Sequence, residues 1–242
     1  PVAIYHFNDS HPVFAGTEII REMMDEKGLS FEEAWKRARE KIVFTTHTPV
    51  KAGNEEHDHE LLQYMGAYNG LTFGQMLRLG GEPFSMTVAG LRLAKKANAV
   101  AQLHGKTARR MWGDVSGAAE IIAITNGVFP GAWQDPNIAK AYARNDDLWA
   151  PHQQAKREMI AEVYRRNGVQ LDEAVLTFGF ARRAAPYKRG NLIFSKPEVI
   201  GKYLENGELQ IILSGKAHPN DLTGKDIVAE MYRMSKRYPK SV

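Results

Sequence analysis

The chain has 242 residues, no cysteine, and 32 Lys and Arg against 28 Asp and Glu, for a formal charge of +4. Without cysteine there is no disulfide framework, no thiolate zinc site and no thiol nucleophile, and a cytoplasmic location is the default expectation. With 43% hydrophobic and 25% charged residues the composition suits one large or two modest globular domains, and no apolar run approaches the roughly 20 residues that span a bilayer.

Ala3 to Phe7 is short, apolar and β-rich and stops at Asn8-Asp9-Ser10-His11-Pro12, so a strand is expected to end in a polar loop. Phe14, Ile19, Ile20, Met23 and Met24 then recur at helical spacing, with Gly28 as the C-cap. Ser30-Phe31-Glu32-Glu33 has the form of a capping box and opens a helix to about Glu40. A second strand, Lys41 to Thr46, runs into Thr46-His47-Thr48-Pro49. Two strands joined through helix, each ending in a histidine-bearing loop, predict a parallel βαβ layout with ligands outside the strands' carboxyl ends.

Residues 51–81 read as loop and short helices, and their His57 and His59 as exposed loop side chains. Phe84 to Trp112 reads as one long helix, and Glu120 to Thr125 as a strand entering the Asn126-Gly127 turn. Helices are expected at about Pro136 to Ala143 and Leu148 to Asn167, the latter ending at Gly168. Ala174 to Ala181 is an uninterrupted strand followed by Arg182-Arg183-Ala184-Ala185-Pro186-Tyr187-Lys188-Arg189-Gly190. A helix from about Leu192 to Glu205 and a strand from Leu209 to Leu213 repeat the layout, closed by Ser214-Gly215-Lys216-Ala217-His218-Pro219. The fold class is therefore α/β.

Charge is unevenly placed. Residues 1–150 carry 16 basic and 18 acidic side chains, whereas residues 151–242 carry 16 and 10. The excess concentrates at one strand end, where Arg183 offers a bidentate fork to phosphate oxygens, Lys188 a mobile point charge, and Gly215 room for close backbone approach. His47 could serve as acid, base or sugar-hydroxyl partner, or bond only to its own turn. Asp9 and His11 divide the same way. His104 reads as a helix-packing histidine, and a metal site built from Asp9, His11, His57 and His59 is disfavoured. The common phosphate-loop, dinucleotide, zinc-protease and serine-hydrolase motifs are missing, and no aromatic residues interleave the basic loop as a nucleic-acid platform requires.

Taken together, Asn8-Asp9-Ser10-His11-Pro12, Thr46-His47-Thr48-Pro49, Asn98-Ala99-Val100-Ala101-Gln102-Leu103-His104, Thr125-Asn126-Gly127-Val128, Arg182-Arg183 with Tyr187-Lys188-Arg189, and Gly215-Lys216-Ala217-His218-Pro219 follow one another as in α-glucan (glycogen and maltodextrin) phosphorylases. The chain resembles the bacterial and archaeal branch of that family. The resemblance implies parts of two Rossmann-like domains of a GT-B architecture, residues 1–125 from the end of the first and 126–242 from the start of the second. It implies phosphorolysis of α-1,4-glucan by orthophosphate to glucose 1-phosphate, with pyridoxal phosphate acting through its own phosphate group. By the same resemblance Arg183 and Lys188 hold the substrate phosphate and Arg182 lies beside the cofactor phosphate. His47 and Asn126 hold the transferred glucose, and Asp9 and His11 line the adjoining wall. Family members are several hundred residues longer, and their cofactor-bearing lysine lies in a stretch with no counterpart here. The chain is thus expected to be an internal fragment, inactive alone, without nucleic-acid or membrane partners and prone to self-association as a homodimer through exposed sheet edges. The alternatives are a nucleotide-sugar glycosyltransferase of the same architecture, of the glycogen or starch synthase type, and a non-catalytic carbohydrate-binding module.

Overall fold

A computed structural model describes residues 2–50, 53–219 and 221–242. The chain divides into two units, Pro1–Val128 and Phe129–Val242. In the first, strand β1 (Tyr5–Asn8) is followed by helices α1 (Val13–Lys27) and α2 (Phe31–Arg39) and by strand β2 (Ile42–Thr46). β1 and β2 pair in parallel, Tyr5 opposite Ile42, as the βαβ reading requires. Gly28 ends α1 at φ 61°, a left-handed conformation that costs a residue with a Cβ more than it costs glycine. The capping box at the start of α2 is formed in both directions: Ser30 Oγ accepts from the Glu33 N–H, and the Glu33 carboxylate accepts from the Ser30 N–H.

The region after β2 departs from a single long helix. It contains β3 (Glu56–His57), α3 (His59–Tyr64), α4 (Phe73–Gly80), β4 (Phe84–Ser85), α5 (Met86–Leu93), β5 (Lys96–Ala99) and α6 (Gln102–Trp112). Lys51 and Ala52, within the stretch expected as loop and short helices, lie outside the described residues. The chain leaves helical geometry at Ala94 (φ −93°, ψ 144°) and is still extended at Ala101 (φ −163°, ψ 162°), the N-cap of α6. Between them β5 becomes an inner strand, with Ala97 opposite Phe44 on one side and Ile121 of β6 (Ile121–Ala123) on the other. Tertiary pairing overrides a helical pattern here because Ala97 and Ala99 fit a sheet interior and Asn98 finds its partner across the sheet, in Thr45 Oγ1 at 2.7 Å.

The resulting sheet has the order β1-β2-β5-β6, all parallel. Its core joins Ile42 and Phe44 of β2 to Ile20 of α1, Ala38 of α2 and Leu91 of α5. Each such fully buried large side chain contributes about 1.5–3 kcal/mol by leaving water. Packing is close enough that a Cβ on Gly90 would meet the Phe44 ring at 2.5 Å.

In the second unit α7 (Pro130–Trp133), α8 (Pro136–Arg144) and α9 (Trp149–Asn167) precede β7 (Leu176–Ala181), and α10 (Pro197–Glu205), β8 (Leu209–Ser214) and α11 (Leu222–Arg237) follow. β7 and β8 pair in parallel, Leu176 opposite Leu209. The helix expected from Leu192 begins instead at Pro197, after a 3-10 turn at Leu192–Phe194. Proline disfavours helical geometry in the residue before it, and Lys196 is non-helical at φ −126°, ψ 75°. Among the described residues no helix is long and apolar enough to cross a membrane.

Candidate functional site

The carboxyl edge of the four-stranded sheet carries the residues singled out in the first unit. The Asp9 N–H donates to the Thr45 carbonyl at 2.8 Å, and at φ 65° Asp9 turns the chain out of β1 toward the exposed His11. Asp adopts this left-handed conformation more readily than most residues because its short side chain bonds locally. His47 leaves β2 directly and is half-buried. The Asn126 N–H donates to the Val100 carbonyl at 3.0 Å, prolonging the β5–β6 ladder and leaving the Asn126 side chain exposed. Since β1, β2, β5 and β6 are successive neighbours, Asp9, His47, Val100 and Asn126 stand along one edge, where open parallel sheets bind ligands.

Two polar features lie behind this edge. His6 Nε2 lies 2.7 Å from Thr45 Oγ1, which donates to Asn98 Oδ1 at 2.7 Å, so a polar chain crosses three strands. The Thr45 hydroxyl proton is spent on Asn98, which makes the His6 ring N–H the donor to Thr45. His104, read as a packing histidine, is buried, and its Nδ1 accepts from the Val100 N–H at 3.3 Å while Nε2 lies 3.5 Å from the Thr48 carbonyl. It therefore links the α6 entrance to the turn that carries His47. Thr46 Oγ1, fully buried beside that turn, has no hydrogen-bond partner among the described residues.

His59 is not an exposed loop residue. It is buried, with Nδ1 2.8 Å from the Tyr68 hydroxyl and Nε2 2.8 Å from the Gly81 carbonyl, its ring edge-on to Phe73 and Phe84. The acidic stretch around it hid a packing role supplied by residues that follow in sequence. Among the described residues no group of three His, Asp or Glu side chains gathers to hold a metal.

In the second unit the β7–β8 ladder continues past both strands: the Arg182 N–H donates to the Ser214 carbonyl at 2.9 Å and the Ala184 N–H to the Lys216 carbonyl at 3.0 Å. Arg182-Arg183 and Gly215-Lys216 are thereby held side by side. The fit admits only glycine at 215, since a Cβ there would strike the Arg182 carbonyl oxygen. A 3-10 turn, Pro186–Lys188, and Arg189 at φ 52° bring the chain back, and Asn191 Nδ2 anchors it to Glu230 of α11 at 2.7 Å. The Lys188 ammonium sits 5.6 Å from the Tyr187 ring centroid. Among the described residues no carboxylate is within ion-pair distance of Arg182, Arg183, Lys188 or Arg189. Four cations without a counter-charge in eight successive positions form a local positive field suited to a multiply charged anion. Arg182 also reaches the mouth of a groove of about 480 Å³ whose walls include Phe180, Leu213 and Met231.

An α/β protein with polar loops at the carboxyl ends of parallel strands and a basic loop after one of them is the class these features define. The family model for carbohydrate phosphorylases matches residues 2–67. Across 96% of its length the chain is 34% identical to the maltodextrin phosphorylase of Thermococcus litoralis, and across 98% it is 31% identical to the glycogen phosphorylase of Mycobacterium tuberculosis. An uncharacterised protein of Methanocaldococcus jannaschii is 36% identical over 91% of the chain. The chain is thus similar over nearly its whole length to bacterial and archaeal glycogen and maltodextrin phosphorylases. It spans 41% of the Methanocaldococcus protein and 34% of each of the other two. The Thermococcus alignment runs over 282 residues, more than this whole chain, so that relative carries positions here that this chain lacks.

Proposed function

We propose that the chain is a segment of an α-glucan phosphorylase, which releases glucose 1-phosphate from the end of an α-1,4-glucan with orthophosphate. The observation that carries this reading is the set of four cations after β7 without a carboxylate partner among the described residues, in a chain whose relatives are named phosphorylases. Arg183 and Lys188 hold the attacking phosphate: the guanidinium takes two oxygens in a fork and the ammonium neutralises a third. His47 and Asn126 bind the glucose to be transferred, the imidazole at its 6-hydroxyl and the His47 carbonyl toward the positive charge that develops on the ring. Asp9 and His11 line the neighbouring wall. Residues 1–125 and 126–242 supply parts of the two Rossmann-like domains of a GT-B enzyme, and the protein works in the cytoplasm.

Pyridoxal phosphate fits the donor chemistry in part. Arg182 is exposed and held by its backbone beside Gly215, where a phosphate could be taken by guanidinium and by close main-chain approach. When bound, that cofactor supplies a phosphate group that exchanges a proton with the substrate phosphate. By the resemblance, the lysine that attaches it has no counterpart among these 242 residues, and the chain by itself is not expected to turn over glucan.

Titration calorimetry of the 242-residue chain with orthophosphate tests the reading. Saturable binding is expected, and Arg183→Ala should weaken it about 10- to 100-fold, the equivalent of one charge-assisted fork of about 1.5–3 kcal/mol. Maltooligosaccharide binding should fall in His47→Ala and Asn126→Ala. Selective protection by UDP or ADP over orthophosphate would instead support a nucleotide-sugar glycosyltransferase, and robust glucose 1-phosphate formation by the chain alone would refute its dependence on residues outside it.

A further inference from the structure

We infer that His104 is a positioning residue for glucose recognition, whose ring fixes the spacing between the His47 turn and the Asn126 turn; this rests on assigning the transferred glucose to those two residues. The ring stands between them in a continuous polar path. Nε2 lies 3.5 Å from the Thr48 carbonyl, Nδ1 accepts from the Val100 N–H at 3.3 Å, and the Val100 carbonyl accepts from the Asn126 N–H at 3.0 Å. His47 is joined directly to Thr48, so one side chain reaches both turns. Every member of this path belongs to the first unit, Pro1–Val128.

Capping of α6 accounts for only half of these contacts. His104 is the third residue of the helix, a position from which side chains reach back to the backbone before the first turn, and the Nδ1 bond to Val100 has that form. The Nε2 contact does not. It joins a residue 56 positions earlier, and forming the helix has no use for it. Burial makes the ring a spacer with little play: His104 is 9% exposed, and at the next residue a Cβ on Gly105 would meet the Ala123 Cβ at 2.8 Å, so α6 is clamped on β6. Thr48 precedes Pro49, whose ring restricts Thr48 to extended backbone, and a hold on the Thr48 carbonyl therefore passes to His47. Asn126 is gripped through its main chain at Val100, which leaves its exposed side chain to meet a sugar.

Two amide substitutions divide the contacts of the ring. His104→Asn keeps an acceptor near Nδ1 and loses the reach to Thr48, whereas His104→Gln keeps a donor near Nε2 and loses the acceptor for Val100. In calorimetry of the 242-residue chain, each should weaken maltooligosaccharide binding about three- to tenfold and leave orthophosphate binding unchanged. His104→Asn should add nothing to His47→Ala, and His104→Gln nothing to Asn126→Ala, because each acts through that residue. Full additivity in both pairs, or an equal loss of orthophosphate affinity, would overturn the positioning role. Without ligand, amide resonances should move at His47 and Thr48 in His104→Asn and at Val100 and Asn126 in His104→Gln; shifts confined to α6 would overturn it even in a chain that binds no glucan. The unsubstituted chain supplies an arm that needs no variant to fold: maltooligosaccharide should shift the His104 Nε2 resonance, and an unmoved resonance in a saturated chain counts against the role. Glucan affinity indifferent to both His47→Ala and Asn126→Ala would remove the glucose assignment, and the positioning role with it, whereas affinity that falls in those variants but not in the His104 variants would remove the positioning role alone.

Discussion

The two units bury their sheets very differently. In the first, helices pack on a four-stranded sheet and the buried cluster runs from Phe7 through Phe44 and Leu91 to Ile121. In the second, a two-stranded sheet rests on a cluster of Phe194, Leu204, Leu209, Ile211 and Tyr238, and neither α7 nor α8 buries a side chain. Phe129, Trp133 and Tyr142 are 72%, 84% and 72% exposed in that segment. Apolar burial is the main favourable contribution to folding, so the first unit should be the stable one and the second should open first.

The sharpest way to break this comparison is to empty each core in turn. Phe44→Ala should cost about 3–5 kcal/mol, seen as a shift of the later transition in guanidinium. Ile211→Ala should cost about 2 kcal/mol and move only the earlier one. One shared transition that both variants displace equally would show that the units unfold together. A smaller effect comes from the start of α2: Ser30→Ala removes one side of the capping box and should cost about 1 kcal/mol in the later transition.

The smallest effect depends on pH. Arg21 and Asn69, bonded to the Glu18 carboxylate, hold its pKa at about 2 against an ordinary 4.5. A depressed carboxylate pKa stabilises the fold above the unfolded value, and that contribution is lost as pH falls from 4.5 toward 2. The group is largely exposed and the ion pair screened, so Glu18→Gln should lower the melting temperature slightly at pH 7 and much less at pH 2. An equal effect at both pH values would remove the ion pair as its cause.

What could be read in advance follows the range of the interactions. α1 with Gly28, the capping box at Ser30 and the strands before Asp9 and His47 are set by neighbours in sequence, and each was legible. β5 was not, because Lys96-Ala97-Asn98-Ala99 lacks the branched and aromatic residues that mark a strand and owes its state to Phe44, Thr45 and Ile121. His59 was misread for the same reason, its partners Tyr68 and Gly81 being beyond the acidic stretch that surrounds it. The basic loop after β7 could be found as a composition, but its freedom from carboxylates among the described residues is a property of the fold.

The His104 contact has a consequence for how the edge of the first unit moves. Because Nδ1 accepts from the Val100 N–H, the tautomer that fits carries its proton on Nε2, facing the Thr48 carbonyl. One tautomer thus ties the turn at Val100 to the turn at Thr48, which lies 56 residues before His104 in sequence. A ligand that orders the His47 turn should therefore slow the His104 ring and the Val100 amide together, a shared motion that nitrogen-15 relaxation at the two sites would register and that independent turns would not show.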